Sequence, residues 1–378
     1  MVRGIRQVEE SLGTSTERRL SQGELMNRES LAKSLIINCD LESGQTITAE
    51  MIEVKSPGQG LQPNRKAELI GLKAKRSFRA GDFFFPSDLE AEGIPAKPRY
   101  QFNRPWGVPV RYHDFKKILA KTTPDLLEFH LSYKDLEEDI HQYLDQDYDL
   151  DLVVHSPELF AGDHVMDLCS EDEAYRQRSI QELQRVVDIT RALKPFFRRA
   201  NRPCIVINAG GFTHDAPLSV AKRPRLYELL QGSLSAIDAE GVEIIPQTMP
   251  PFPWHFGGQR YHNLFMDPKD ITKFCQQEGY RVCLDISHSK LACNHHKWSF
   301  KEFFEQVGPY TAHLHIADAA KVDGEGLQIG EGDIDIMSLA QNLQQFVPSA
   351  SFIPEIWQGH KNNGEGFWIA LNILESLI

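Results

Sequence analysis

Histidines and carboxylates close a series of short apolar runs in the second half of this 378-residue chain. His155 ends the run in DLVVHSP, Gln247 the run in VEIIPQTM, and Asp285 the run in RVCLDISH, with His288 just beyond. His313 and His315 lie in TAHLHIAD with Asp318 after them, and Glu355 ends the run in SFIPEIWQ. A buried carboxylate or imidazole is costly unless it is paired or holds a metal. Such groups converging on one point make a divalent-metal site, and they also serve as general acids and bases. Side chains alternate along a strand, so His313 and His315 share a face, and His315, nearer the C-terminal end, is the better ligand. A lone strand-end histidine is usually a hydrogen-bonded core residue. Asp285, His315 and Glu355, at matching ends of three successive runs, are harder to explain that way. Cys293, His295 and His296 form a second cluster, CNHH, whose spacing matches no closed zinc pattern and reads as surface or supporting residues.

These groups meet only if the runs are strands of one closed sheet. Eight runs can be counted: WGVPVRY, DLLEFHLS, DLVVHSP, CIVINAG, VEIIPQTM, RVCLDISH, TAHLHIAD and SFIPEIWQ. Amphipathic stretches separate them, and in the longest Ile180, Leu183, Val186, Val187 and Thr190 recur at helical spacing. The pattern predicts an α/β fold, a (β/α)8 TIM barrel over residues 106–378, with reactive groups at the C-terminal strand ends. An open doubly wound sheet is the alternative, but no GxGxxG or P-loop is present. NAGGF (Asn208–Phe212) reads as a βα turn, or alternatively as a cradle of N–H groups for a phosphate.

Upstream, residues 28–96 carry short β-prone runs between turn-rich segments and predict a small β-rich domain. Within it, PGQG reads as a tight turn that uses glycine's tolerance of positive φ. DFFFPSDL leaves at least one aromatic facing outward, as a docking surface. Residues 97–105 read as a linker, and residues 1–27 as a polar helix followed by a tether.

Composition narrows the function. Lys and Arg total 41 against 53 Asp and Glu, a formal charge of −12, which repels phosphate backbones and argues against nucleic acid as a partner. No stretch approaches the ~20 apolar residues of a membrane helix, and the N-terminus has no apolar signal region. The six cysteines form no CxxC pair, which suits reduced thiols and a cytoplasmic location.

Residues 106–378 resemble the xylose-isomerase-like barrels, a superfamily of sugar isomerases and epimerases that includes the endonuclease IV relatives. The resemblance rests on CLDISH, on HLHIAD followed by the segment Ile329–Asp335, and on the glutamate of IPEIW. It implies a divalent metal held by Asp285, His315 and Glu355, with Gln247 where the family has its first glutamate. It further implies His155 and His288 on the substrate side, joined by Glu158 and Asp318, and a sugar or sugar phosphate processed through an enediolate. Oxygen-rich ligation favours Mn²⁺ or Mg²⁺ over Zn²⁺. Glu355 serves as base on one face of the reacting carbon. Gln247 cannot accept a proton, so a one-face isomerase tolerates it better than a two-face epimerase, unless His155, His288 or Glu158 replaces the missing carboxylate. A non-catalytic sugar-binding barrel is a second reading. A repair endonuclease is a third, opposed by the acidic charge and by Gln247.

Residues 28–96 resemble the antifreeze-like SAF domain that ends sialic acid synthases, through SLIINCDLESGQTITAEMIEVKSPGQGLQP and IGLKAKRSFRAGDFFFPSDL. GIRQVEESLG is similar to the tail of the synthase barrel that precedes such a domain. The resemblance implies a link to nonulosonate sugars, and a homodimer or docking onto a synthase barrel through the SAF domain. It also places Lys33 where the synthases carry a substrate-binding arginine. By this resemblance the chain is a fragment or truncated descendant of a longer fused protein.

Overall fold

Period-two alternation along eight strands builds the larger part of the molecule. The computed structural model describes residues 1–13, 20–89, 94–255 and 258–378, and the chain divides into two compact units, Met1–Leu89 and Glu90–Ile378. In the second unit the barrel strands, numbered one to eight, are Gly107–Val110, Leu126–His130, Asp151–His155, Cys204–Ile207, Glu243–Pro246, Val282–Asp285, Thr311–Ile316 and Ser351–Pro354. Strands one to five pair in parallel, as do six to eight. Parallel bridges between Trp106 and Phe352 and between Gln247 and Cys283 close the cylinder. The predicted TIM barrel is therefore present.

Two layers fill its interior. Leu126, Val153, Val206, Ile245, Cys283 and Ile353 form an apolar floor. One alternation step further along their strands stand Glu128, His155, Asn208, Gln247, Asp285 and Glu355. The intervening residues, such as Leu127, Phe129, Val154, Leu284 and Leu314, pack outward in the main core. A slip of one residue would exchange the two sets, so burial of the outward face fixes the register that assembles the polar layer.

The longest helix, Glu173–Leu193, starts at the cap Asp172 and buries Ile180, Leu183, Val186, Val187 and Thr190, the stripe its spacing predicts. Two connections depart from expectation. Between strands two and three the only helical element is a 3-10 turn, Ile140–Gln142. After strand six a helix, Ile286–His296, begins without a loop, because Asp285 ends the strand and caps the helix by accepting from the His288 N–H at 2.7 Å. Residues 97–105, read as a linker, belong to the barrel unit. Tyr100 is buried against Trp106, and Arg104, also buried, donates to the carbonyls of Leu343 and Val347 at the end of helix Ile336–Phe346.

The first unit is β-rich around Leu35, Ile37, Leu41, Ile47, Ile52, Leu61, Phe78 and Phe84. Strands Ser34–Ile37 and Ile52–Lys55 pair antiparallel, and bridges join Ile36 to Phe83 and Leu41 to Phe78. Of the three phenylalanines in DFFF, Phe84 is buried, whereas Phe83 and Phe85 are half-buried. Two helices precede the strands, Val2–Leu12 and Gln22–Leu31, the second held by a capping box between Ser21 and Glu24. PGQG does not need positive φ. A Cβ on Gly58 would lie 2.1 Å from the Arg28 carbonyl oxygen, so close approach is what demands glycine there.

Candidate metal centre and active site

Four strand ends converge at the barrel mouth. His315 Nδ1 lies 2.8 Å from Glu355 Oε2 and 3.8 Å from Asp285 Oδ2. The Gln247 amide spans the same point: its nitrogen is 3.0 Å from Asp285 Oδ2 and 3.1 Å from His315 Nδ1, and its oxygen is 3.3 Å from His155 Nε2. His155 Nδ1, 3.0 Å from the Ser156 carbonyl, must carry a proton there. Burial, with His130 beside it, holds His155 below the ordinary imidazole range, so the ring is neutral and Nε2 is an acceptor. An acceptor facing an amide oxygen is unfavourable, and turning the Gln247 amide end for end resolves it. The amide oxygen then joins Asp285 Oδ2, Glu355 Oε2 and His315 Nδ1. His315 Nε2 meanwhile faces the carboxylate of Glu128 at 3.0 Å. A positive charge has to lie among these acceptors, either a proton on His315 Nδ1 or a metal ion. The donor set of two carboxylates, one amide oxygen and one imidazole fits a divalent cation of the Mg²⁺ or Mn²⁺ type.

Exposure separates the members. The Asp285 and His315 side chains are closed off, whereas that of Glu355 is 29% exposed. Burial opposes ionisation of Glu355, but the charge and hydrogen bond of His315 outweigh it and hold the carboxyl below its ordinary range. Burial raises Asp285 despite the nearby charge of His288. His288 is itself pushed up to about 10, against burial, by Asp285 and Glu325. Its Nδ1 donates to the Thr248 carbonyl at 2.9 Å, and its Nε2 meets Glu325 Oε1 at 3.0 Å.

A family model described as a xylose isomerase-like TIM barrel matches residues 115–376, more than half of the chain. The chain belongs to the xylose isomerase-like TIM barrel family. A SAF domain model matches residues 32–90. Among solved structures, a D-tagatose 3-epimerase-like protein is 18% identical and superposes with a TM-score of 0.52, covering 72% of this chain and 98% of that one. A 3-keto-D-glucoside 4-epimerase from E. coli, in its apo form, is 14% identical with a TM-score of 0.51, covering 72% and 99%. At these identities the likeness is one of fold. No curated protein matches the sequence.

Within this xylose isomerase-like barrel, Asp285, His315, Glu355, Gln247, His155 and His288 come together, and Asp318 does not. Its carboxylate is buried and accepts from the backbone N–H groups of Ala319, Gly330, Gly332 and Ile334, so it pins the IGEGDID loop instead of facing a substrate. Glu158 lies along the mouth, where its Oε1 accepts from Asn208 Nδ2 at 3.3 Å. Lys33 belongs to the other unit, exposed beside the buried Ser34. The NAGGF loop is a turn and no phosphate cradle. The Gly210 N–H is taken by Asn208 Oδ1 and the Gly211 N–H by Asp167 Oδ1. Gly210 is required by its φ of +84° and by Asp167, whose Oδ1 would lie 2.4 Å from an added Cβ. The CNHH residues do not converge: Cys293 is buried, His295 packs edge-on to Phe252, and His296 stacks on Trp298.

Three residues escaped the sequence reading. Glu128 and His130, on strand two, carry the same i, i+2 spacing as His313 and His315, and that parity in LLEFH was the available signal. Glu325 comes from a hairpin, Asp318–Ala320 with Gly324–Leu327, that no strand pattern announced.

Proposed function

We propose that this chain is a divalent-metal-dependent isomerase of a small sugar or sugar phosphate, transferring a proton on one face of the substrate through an enediolate. The observation that carries the reading is the meeting of Asp285 Oδ2 and Glu355 Oε2 within 4 Å of His315 Nδ1, with Glu355 alone open to the mouth. Asp285, His315, Glu355 and the Gln247 amide oxygen would hold the cation, which when bound polarises a carbonyl and its neighbouring hydroxyl. Glu355, ionised and partly exposed, takes a proton from one carbon and returns it to the next. His288, charged and with both ring N–H groups taken by Thr248 and Glu325, adds positive charge beside the site and holds Glu325 in place. His155 and Glu158 offer further polar contacts along the mouth. Gln247 has no proton to exchange and no lone pair basic enough to take one, so the opposite face carries no carboxylate from strand five. This favours an isomerase over an epimerase. The SAF domain supports placing the substrate among nonulosonate-type sugars and their precursors.

Gln247 also favours a second reading, a barrel that binds the sugar without turnover. Metal analysis of the purified protein, followed by proton exchange between D₂O and a panel of ketoses, decides between them. One equivalent of Mn²⁺ or Mg²⁺ with solvent deuterium entering the carbon next to the carbonyl supports the isomerase. Sugar binding without exchange supports the second reading, and absence of metal binding overturns the isomerase.

A further inference from the structure

We propose that Glu128 is a positioning residue, a buried carboxylate that takes the Nε2 protons of both His313 and His315 and so aims the His315 Nδ1 lone pair into the metal site. Glu128 sits on barrel strand two and is fully buried. Its Oε2 lies 2.8 Å from His313 Nε2, and its Oε1 lies 3.0 Å from His315 Nε2. His130 Nε2 comes within 3.0 Å of the same Oε1. An ionised carboxylate only accepts, so every ring nitrogen that bonds to it must carry a proton. With the proton fixed on Nε2, a neutral His315 has its lone pair on Nδ1, the atom beside Asp285, Gln247 and Glu355.

His313 completes the brace. Its Nδ1 is 2.7 Å from Ser351 Oγ on strand eight, so a neutral ring with its proton on Nε2 accepts there from the serine hydroxyl. Three strands are thereby tied to one carboxylate: the second supplies it, the seventh supplies both imidazoles, and the eighth fixes the deeper one, His313. The separations of 2.8–3.0 Å between Glu128 and the two ring nitrogens are those of charge-assisted hydrogen bonds. On this inference, protons and not a second ion occupy that side of His315.

The inference rests on the metal reading of the mouth, and its test separates the two. Glu128→Gln keeps the shape and offers only one acceptor oxygen to two imidazoles. Mn²⁺ affinity, measured by titration of the full-length chain, is expected to fall about 10–100-fold in Glu128→Gln. Ser351→Ala, which removes only the hydroxyl facing His313 Nδ1, is expected to lower it by a smaller factor. In the Mg²⁺-loaded wild type, ¹⁵N–¹H correlation spectra are expected to show His315 protonated at Nε2 alone, with that proton resonance displaced in Glu128→Gln. A folded Glu128→Gln variant with wild-type Mn²⁺ affinity and an unmoved His315 ring signal overturns the inference, as does a stoichiometry of two Mn²⁺ per wild-type chain. Should the wild type bind no divalent metal, the metal reading fails. The metal-free spectra then still decide whether the His315 Nε2–H proton responds to position 128, and an unmoved signal there overturns the inference independently.

Discussion

The Glu355 backbone N–H donates to the Ile316 carbonyl at 3.1 Å, while the Glu355 side chain reaches His315 Nδ1 at 2.8 Å. The parallel ladder between strands seven and eight thus continues one step past the last paired residues and sets the carboxylate beside the imidazole. Backbone register and site geometry are one constraint here. The carboxylate is held at a strand end, which would keep the proposed base at a fixed angle to a substrate.

Replacing the proposed base should separate chemistry from binding. Glu355→Gln retains an oxygen for the cation and removes the proton acceptor. Solvent exchange into a ketose is expected to fall by about 10²–10⁴, while the variant still retains the sugar in equilibrium dialysis. Undiminished exchange would remove Glu355 from the reaction.

Asp285 has two duties that two substitutions resolve. Asp285→Asn keeps an oxygen for the His288 N–H and loses the charge. It is expected to abolish metal retention with little change in the urea midpoint. Asp285→Ala loses the helix cap as well, and should cost about 0.5–2 kcal/mol more in stability. Equal metal occupancy in all three proteins, measured by atomic emission, would sink the ligand assignment.

Gln247→Glu restores a carboxylate at strand five. With metal present, affinity is expected to rise on the order of tenfold or more, about 1.4 kcal/mol per decade. Without metal, the new charge faces Asp285 Oδ2, now 3.0 Å from the Gln247 amide, and should lower the melting temperature. Titration calorimetry and thermal unfolding, each with and without Mn²⁺, read both effects. Unchanged affinity would mean that position 247 does not face the ion.

Much of this barrel could be read from its residues. Eight apolar runs gave the strand count, and the late position of Asp285, His315 and Glu355 in three of them placed those side chains at one rim. Glu128 and His130 were overlooked because DLLEFHLS reads as an apolar strand with two polar interruptions. Only the closed cylinder shows that both interruptions point inward, towards residues some 185 positions away. Asp318 misled in the opposite direction, since a carboxylate past a strand end serves a backbone turn as readily as a ligand. Nothing in the run CLDISH announced that its last residues were already helix, because strand and helix share Asp285 without an intervening turn.

Away from the mouth, His164 makes stability depend on pH. It is buried, faces Ser179 Oγ at 2.9 Å, and is held below the ordinary imidazole range by burial and by Arg178. The unfolded chain takes up this proton near pH ~6.5 whereas the folded chain resists it. Its contribution is therefore complete above that pH and is lost as pH falls below it. Urea unfolding of His164→Gln is expected to show a shallower decline between pH 7 and pH 5 than the parent, and parallel curves would refute the assignment.

In the smaller unit, Gly58→Ala tests the close approach to the Arg28 carbonyl. A Cβ there would sit 2.1 Å from a backbone oxygen, so helix Gln22–Leu31 or the PGQG segment must shift. A loss of about 1–3 kcal/mol is expected for the unfolding of this unit. Gly44→Ala sets the scale for a glycine whose added Cβ meets nothing within 4 Å, because only its φ of +86° is then disturbed.

The apolar floor of Leu126, Val153, Val206, Ile245, Cys283 and Ile353 fills the barrel beneath the polar layer, so among the described residues the interior is not a through passage. On the proposed function, a molecule converted above it would depart by the route it arrived, and the next would enter only once the first had gone. Reactant and product would then be rivals for the same doorway, and accumulation of product should slow turnover competitively, however favourable the overall conversion.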